Sequence, residues 1–300
     1  MLKQISLLIL CAAAIVWFAT PVQACTSAVV SGKVTPDGRP LLWKNRDTDF
    51  MRNHVDYVKG EKYDFIAVVN SANAYLKEAW MGTNSSGFAL MNTQSYNLVD
   101  VKGDEERGAA NGRVIYRALE VCATVEDFCH FLDTISKPSD IEANFGVIDA
   151  QGGAAMFEVD YHKYVMCDAN NPKDAPYGYI ARTNFSFAGK VNEGAGYVRY
   201  MEADQVLMKA SATGSITPQF IFNDLSRSFR NRMLDIDLRS GAYNRPQASG
   251  WFVDQDFIPR SSTSCSVVVQ GVKPGEKAEL TTMWTLLGCL LYTSPSPRDG

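Results

Sequence analysis

The chain has 300 residues, of which 46% are hydrophobic and 21% charged, and its formal net charge at pH 7 is −4. This length allows one large domain or two modest ones with a substantial core. A weakly acidic chain lacks the positive charge with which proteins bind nucleic acid or an anionic membrane surface, so we expect neither as a partner. The sequence also has no His, Cys and carboxylate cluster with metal-ligand spacing, and we expect no metal site.

The N-terminal segment has the pattern of a secretory signal peptide. Lys3 precedes an apolar run from Ile5 to Thr20, which falls short of the ~20 apolar residues of a membrane-spanning helix. Val22-Gln23-Ala24 then supplies the small residues that signal peptidase recognises. We therefore predict that residues 1–24 are a signal peptide, that cleavage leaves Cys25 as the first residue, and that the protein is exported to the periplasm or the outside of the cell.

The C-terminal segment from Cys289 to Gly300 changes abruptly in character. An apolar stretch is interrupted there by Pro, Ser and charged residues, and CLLYTSPSPRDG resembles a translated sequencing adapter. We predict that residues 289–300 are not native. Because no Pro/Gly/Ser-rich linker divides residues 25–288, we predict a single domain over that range.

Along the chain the apolar periodicity alternates between runs of strands and runs of helices. Strands are predicted on both sides of the Asp37-Gly38 turn and then over residues 64–71, 74–82 and 87–95. Helices follow over 111–122 and 124–136, and Thr124 with Asp127 resembles a capping box at the start of the second. The remaining predicted elements are strands over 143–160, 163–169 and 177–186, helices over 196–211 and 217–229, and strands over 264–271 and 278–287. This order predicts an α+β layered fold.

A cysteine at the N-terminus of a mature chain holds two catalytic groups in one residue. Its thiolate is a nucleophile, and an α-amine with a reference pKa of ~7.7–8.0 can accept the thiol proton. No histidine is then required, which fits a chain whose His54, His130 and His162 lie in no recognisable motif. Two other interpretations of Cys25 stay open here: a lipidation site, and an inert strand residue. Against lipidation, an apolar strand begins directly after Cys25, whereas an anchored domain usually follows a flexible tether.

The segment CTSAVVSGKVTPDGRPLLWKNRD, residues 25–47, resembles the start of the cysteine N-terminal-nucleophile hydrolases. These comprise the choloylglycine hydrolase and penicillin V acylase group, the acid ceramidase relatives and the isopenicillin N acyltransferase-like C45 peptidases. Their mature chains begin with Cys and reach an Arg-Asn-x-Asp motif, which Lys44-Asn45-Arg46-Asp47 matches here. In the family the Asp contacts the α-amine and the Arg lies near the thiol, so the resemblance gives these roles to Asp47 and Lys44. Lys lacks the planar guanidinium with which Arg donates two parallel hydrogen bonds. A second alignment with the motif, in which Arg46 and Asp49 take these roles, stays open.

Later segments match the same family in the same order. GTNSSGFALMNTQS resembles a segment that leads to an Asn near the oxyanion hole, which implies this role for Asn92. IARTNFS resembles a Thr-Asn motif whose side-chain amide is an oxyanion donor, which implies this role for Asn184. The family also has an Arg at the start of a following helix, near the nucleophile. Arg199 is our choice for it, with Arg227 and Arg230 as competitors.

The resemblance implies a four-layer αββα fold and hydrolysis, or acyl transfer, at linear amide C–N bonds through a thioester on Cys25. It implies a small-molecule amide substrate and no cofactor, and we expect no membrane span. The alternatives are a dipeptidase of the C69 family, which also starts with Cys, and a non-catalytic lipoprotein. The sequence leaves the substrate and the oligomeric state open, a homo-oligomer included.

Overall fold

The computed structural model describes residues 24–72, 74–99, 108–241, 254–288 and 290. The predicted signal peptide, except Ala24, and the predicted non-native tail, except Leu290, lie outside the described residues. The helices in these ranges are α1 (Asn111–Val121), α2 (Val125–Thr134), α3 (Tyr197–Ala212) and α4 (Pro218–Phe220), which continues as a π-helical turn over Ile221–Leu225. The strands are β1 (Thr26–Val30), β2 (Leu41–Asp47), β3 (Asn53–Val58), β4 (Phe65–Asn70), β5 (Met81–Asn84), β6 (Ala89–Gln94), β7 (Ala143–Ile148), β8 (Ala154–Val159), β9 (Tyr164–Asp168), β10 (Tyr179–Arg182), β11 (Arg230–Asn231), β12 (Ile236–Asp237), β13 (Thr263–Gln270) and β14 (Thr282–Leu287).

Two antiparallel sheets form the centre of the molecule. The first sheet has five strands in the order β10-β1-β2-β13-β14, and the second has seven in the order β3-β4-β5-β6-β7-β8-β9. The second sheet is therefore a meander, in which α1 and α2 are inserted between the paired strands β6 and β7. Strands β11 and β12 form a separate short hairpin.

Buried apolar side chains fill three layers between these elements. Leu119 of α1 and Phe128 of α2 pack on the outer face of the second sheet. Val29, Met91 and Val267 belong to the layer between the two sheets, and Trp43 packs with residues of α3 on the outer face of the first sheet. The order of layers is helix, sheet, sheet, helix, which confirms the predicted αββα architecture.

Strand β2 brings polar side chains into this core. All of its residues are buried, and successive side chains point to opposite faces of the first sheet. Leu42 lies between the sheets and Trp43 lies on the helix side. Lys44 and Arg46 continue toward the second sheet, where they donate to Asn92 and Asn70, and Asp47 contacts Arg260. The end of β2 is therefore a buried, charged part of the sandwich.

Most predicted elements are present with shifted ends. The capping box is confirmed, since Thr124 and Asp127 exchange side-chain to backbone hydrogen bonds at the start of α2. The strand predicted over 74–82 is wrong for most of its length, because Ala74–Leu76 forms a 3-10 turn and Lys77 has a φ of 53°. Edge strand β3 was not predicted, since its exposed face carries apolar residues that obscure the alternation. The helix predicted over 217–229 ends at Leu225.

Candidate active site

Cys25 lies at one end of the sandwich, directly before central strand β1. The neighbouring strand β2 ends there, since Thr26 pairs with Asn45, and β13 begins there, since Thr263 pairs with Asp47. Cys25 is 7% exposed, and its Sγ lies 3.9 Å from the carbonyl oxygen of Asp47. The position of this thiol is thus fixed by the pairing of central strands rather than by a loop.

Asp47 and Arg260 form a buried ion pair beside the peptide bond that precedes Cys25. The Nη2 of Arg260 donates to Asp47 Oδ2 at 2.6 Å and to the Ala24 carbonyl oxygen at 2.6 Å. Thr263 Oγ1 also donates to Asp47. Burial raises the pKa of Asp47, and the positive charges of Arg260 and Arg199 oppose this. The Ala24–Cys25 peptide therefore lies against a buried carboxylate and its guanidinium partner.

Arg199, in the first turn of α3, binds the carbonyl group of Cys25, on the opposite side of this residue from Arg260. Its Nη1 donates to the Cys25 carbonyl oxygen at 2.7 Å and to Thr26 Oγ1 at 2.9 Å, and its Nη2 donates to Asn184 Oδ1 at 2.8 Å. The side chain is fully buried, and burial lowers the pKa of Arg199. The helix can start here because Gly196 adopts a φ of 86°, and a Cβ at Gly196 would lie 2.3 Å from Arg199 Nη2.

Asn184 is joined to the second sheet as well as to Arg199. Its Nδ2 donates to the Gln94 carbonyl oxygen at 2.8 Å, at the end of β6. Its backbone forms an isolated bridge with Ala195, just before α3. Asn144 Nδ2 donates to the carbonyl oxygens of Thr183 and Phe185, which flank Asn184. The carbonyl groups of the two residues that flank Asn184 are thereby held by a side chain of strand β7.

Lys44 reaches across to the second sheet at the point where two of its strands separate. The β5–β6 ladder ends at the pair Met81 and Met91, and Lys44 Nζ donates to the next groups beyond it, the Trp80 carbonyl oxygen at 3.1 Å and Asn92 Oδ1 at 2.9 Å. Burial lowers the pKa of Lys44. In the described part of the chain Lys44 makes no hydrogen bond to Cys25 and acts on it through charge alone.

The residues that the sequence left as alternatives to Lys44, Asp47 and Arg199 lie in different surroundings. Arg46 is buried, whereas Asp49 is exposed in the loop after β2. Arg230 lies in β11 and pairs with Asp235 at 3.5 Å, and Arg227 lies shortly before that strand. It is Arg199 that contacts the Cys25 carbonyl.

The structure adds Arg260 to the site, which the sequence did not indicate. Arg260 is 213 residues away from Asp47 in the chain and lies shortly before β13. Tyr96 is a second addition, because its phenol interacts electrostatically with Cys25, Arg199 and Arg260, and burial raises its pKa. The segment around Arg260 carries no periodicity or motif that could have identified it.

The histidines are placed outside this arrangement. His130 and His162 are exposed, and His54 Nδ1 lies 3.1 Å from Ser71 Oγ. Among the described residues no group of three or more His, Cys, Asp or Glu side chains could hold a metal ion. Likewise, no helix in the described ranges has the length and hydropathy needed to cross a bilayer.

Residues 34–212 match the family model described as acyl-coenzyme A:6-aminopenicillanic acid acyl-transferase. The chain belongs to this family. The resemblance to the N-terminal-nucleophile amide hydrolases and acyltransferases is thereby confirmed. Lys44, Asp47, Asn92, Asn184 and Arg199 all lie inside the matched range. No curated protein sequence is significantly similar to the chain.

Solved structures with a similar backbone include amide hydrolases. The Caenorhabditis elegans ortholog of N-acylethanolamine-hydrolyzing acid amidase is 13% identical, with a TM-score of 0.50 over 87% of this chain and 100% of that one. The conjugated bile acid hydrolase of Clostridium perfringens is 14% identical, with a TM-score of 0.45 over 87% and 96%. Penicillin V acylase of Agrobacterium tumefaciens is 16% identical, with a TM-score of 0.43 over 88% and 82%. The match to the nematode protein shows a shared fold.

Proposed function

We propose that this protein is an exported enzyme that hydrolyses linear amides, or transfers their acyl group, with Cys25 as an N-terminal nucleophile. Removal of residues 1–24 frees the α-amine of Cys25, which takes the thiol proton. The thiolate attacks the amide carbonyl, the C–N bond breaks, and the amine leaves with the proton. Water then hydrolyses the thioester, or a second amine accepts the acyl group.

The observation that carries the proposal is the position of Asp47 and Arg260 at the Ala24–Cys25 peptide. The same Arg260 nitrogen binds the Ala24 carbonyl and the Asp47 carboxylate, each at 2.6 Å. A new α-amine formed at this peptide lies beside the Asp47 carboxylate, which orients it by charge and hydrogen bonding. A structural ion pair elsewhere in the fold would not require this contact with the residue before Cys25.

The remaining residues take supporting roles in this proposal. Asn184 and Asn92 serve the oxyanion that develops on the carbonyl, and donors of this kind are typically worth ~10²–10³ in rate. The hydrogen bonds of the Asn184 side chain to Gln94 and Arg199 hold its amide group in place. Lys44 fixes Asn92 through its Oδ1 and contributes positive charge near the thiolate.

The burial of Cys25 favours a nucleophile over a lipid anchor. The residue is 7% exposed and continues directly into β1, all of whose residues are buried. A diacylglyceryl group on this sulfur would have to pass through packed protein, which a tethered anchor avoids. Intact-mass measurement of the mature protein tests this point, because a free cysteine at residue 25 supports the enzyme and a lipid adduct contradicts it.

The activity is tested with three preparations: the chain that starts at Cys25, its Cys25→Ala variant, and a chain that retains Ala24. Each is assayed on N-acylethanolamines, phenoxyacetyl amides, glycine-conjugated bile acids and short peptides. We expect the first preparation to hydrolyse at least one class and the other two to lose at least ~10³-fold in rate. Cys167→Ala is the matched control, since this thiol is half-buried on β9, away from the site. Full activity of Cys25→Ala would refute the mechanism.

A further inference from the structure

A buried carboxylate of the second sheet binds the chain on both sides of Asn184. Glu158 lies on β8, and its side chain is 1% exposed. Its Oε1 accepts from Nε of Arg182, the last residue of β10, at 2.6 Å. The same oxygen accepts from the Phe187 N–H at 3.0 Å, and Oε2 accepts from the Ala188 N–H at 2.6 Å. One side chain thus connects the end of β10 with the segment that follows Asn184.

The segment that Glu158 binds is a turn whose own hydrogen bond leaves two N–H groups unused. The Gly189 N–H donates to the Ser186 carbonyl oxygen at 3.2 Å, so Phe187 and Ala188 are the central residues of a hydrogen-bonded turn. The side chains of these two residues are exposed, whereas their N–H groups donate to the buried carboxylate. Glu158 therefore determines how this turn lies against the second sheet.

A neighbouring side chain of the second sheet acts on the same part of the chain. Asn144 on β7 pairs with Glu158 on β8, so their side chains lie next to each other on one face of the sheet. Asn144 donates to the carbonyl oxygens of Thr183 and Phe185. It fixes the carbonyl groups beside Asn184, and Glu158 fixes the turn that follows.

The ion pair with Arg182 is not a sufficient reason for a carboxylate at this position. A buried ion pair is often no more stabilising than apolar side chains of similar volume. Arg182 also donates to the Ala181 carbonyl oxygen at 2.8 Å, and its guanidinium lies 4.4 Å from the centre of the Phe187 ring. Apolar side chains at both positions could keep this packing, but they would leave the turn without the acceptor that Glu158 supplies.

We propose that Glu158 is a positioning residue for amide hydrolysis, and that it sets the place of Asn184 by holding the turn after it. The oxyanion develops only as the thiolate attacks, so a displaced Asn184 raises the barrier of the chemical step and leaves substrate binding nearly unchanged. Glu158 lies outside the segments that resemble the family, so the resemblance does not account for it. This inference rests on the proposed function, because it assumes that Asn184 serves the oxyanion.

The test replaces Glu158 in the chain that starts at Cys25 and uses the amide that this chain hydrolyses fastest. In Glu158→Gln the side chain keeps its size, but one acceptor oxygen becomes an NH2 donor, which then faces a backbone N–H. We expect kcat to fall about 10- to 100-fold and KM to change by less than about threefold. Glu158→Asp keeps the charge on a shorter side chain, and its loss in kcat should be smaller than that of Glu158→Gln.

Asp149→Asn is the matched control. The Asp149 carboxylate is also buried, and it accepts from the backbone N–H groups of Gln151 and Gly153 at 2.9 and 2.8 Å. It follows β7 and precedes β8, at the opposite end of this strand pair from Glu158. We expect Asp149→Asn to unfold at a lower temperature and to keep the wild-type kcat.

A double variant separates positioning from stability. Glu158→Leu/Arg182→Met replaces the ion pair with apolar side chains and should unfold closer to the wild-type temperature than Glu158→Gln. Its kcat should stay at least about 10-fold below the wild-type value, because the turn has lost its acceptor. Hydrogen exchange measured by mass spectrometry should be faster over residues 184–190 in both variants and unchanged there in Asp149→Asn.

Three results would overturn the inference: a wild-type kcat in folded Glu158→Gln, a kcat that recovers together with the melting temperature in the double variant, or an equal loss of kcat in Asp149→Asn. If Glu158→Gln does not fold, Glu158→Asp and the double variant decide the matter. Absence of Cys25-dependent hydrolysis on every amide tested overturns the proposed function instead.

Discussion

Replacing Arg260 with Gln removes the charged partner of Asp47 and leaves that carboxylate buried. Arg260 donates to Asp47 Oδ2 from Nη2 at 2.6 Å and from Nε at 3.1 Å. The side chains of the pair are 3% and 0% exposed, so water cannot replace the lost contacts. Thr263 remains as a hydrogen-bond donor to Asp47, but it carries no charge.

The expected cost follows from this burial. Breaking a buried ion pair by removing one partner typically destabilises a protein by about 3–5 kcal/mol, a large share of the 5–15 kcal/mol that holds a domain folded. We expect a loss of this size in the free energy of unfolding of Arg260→Gln. The double variant Arg260→Gln/Asp47→Asn removes both charges, and we expect it to be more stable than the sum of the two single effects by about 1–3 kcal/mol.

Urea unfolding followed by circular dichroism measures these values on the chain that retains Ala24, in which Cys25 has no free α-amine to pair with Asp47. Arg39→Gln is the control, since Arg39 forms its ion pair with Glu276 at 3.1 Å on the surface. Surface pairs contribute little to stability, so its urea midpoint should move only slightly. A loss of less than about 1 kcal/mol in Arg260→Gln, or strict additivity in the double variant, would refute the view that Arg260 neutralises Asp47.

Three further predictions concern residues that support the site. Burial lowers the pKa of Lys44, so in the folded chain its ammonium group loses a proton at a lower pH than that of an exposed lysine. Lys44→Arg should therefore extend the alkaline limb of the kcat/KM profile to higher pH. An unchanged alkaline limb would argue against a role for this charge. Asn144→Ala frees the carbonyls beside Asn184 and should lower kcat about 10-fold or more with little change in KM, whereas an equal effect on both would indicate general disruption. Gly196→Ala should unfold at a lower temperature and lose activity together, because of its φ of 86° and the contact with Arg199, and a wild-type melting temperature would contradict this.

The sequence predicted the fold well where local signals agree with the tertiary structure. The Thr124 and Asp127 capping box fixed the start of α2, and the Asp37-Gly38 turn separated β1 from β2. Predictions failed where local pattern is weak. The stretch from Ala74 to Trp80 contains apolar residues typical of a strand, but Lys77 adopts a left-handed conformation that interrupts it. The two-residue strands of the β11–β12 hairpin are too short for a periodic signal.

For the site, the sequence identified residues within motifs but not their partners. It left open whether Asp47 or Asp49 is the buried carboxylate, a question that depends on where β2 ends. Arg260 could not be found, because its contact with Asp47 is created by strand β13 returning beside β2. The hydrogen bond from Lys44 to Asn92 could not be predicted either, because it depends on the separation of β5 and β6. These contacts arise from sheet topology, which the local sequence does not encode.

The most direct test of the central claim is to trap the acyl-enzyme. The chain that starts at Cys25 is mixed with an intact amide that it hydrolyses, and the reaction is quenched in acid within milliseconds. The protein is then digested, and its peptides are mapped by mass spectrometry. We predict one acyl group in thioester linkage on Cys25, and none in a chain that retains Ala24. Acylation of another residue, or turnover by both chains with no adduct on Cys25, would contradict the account.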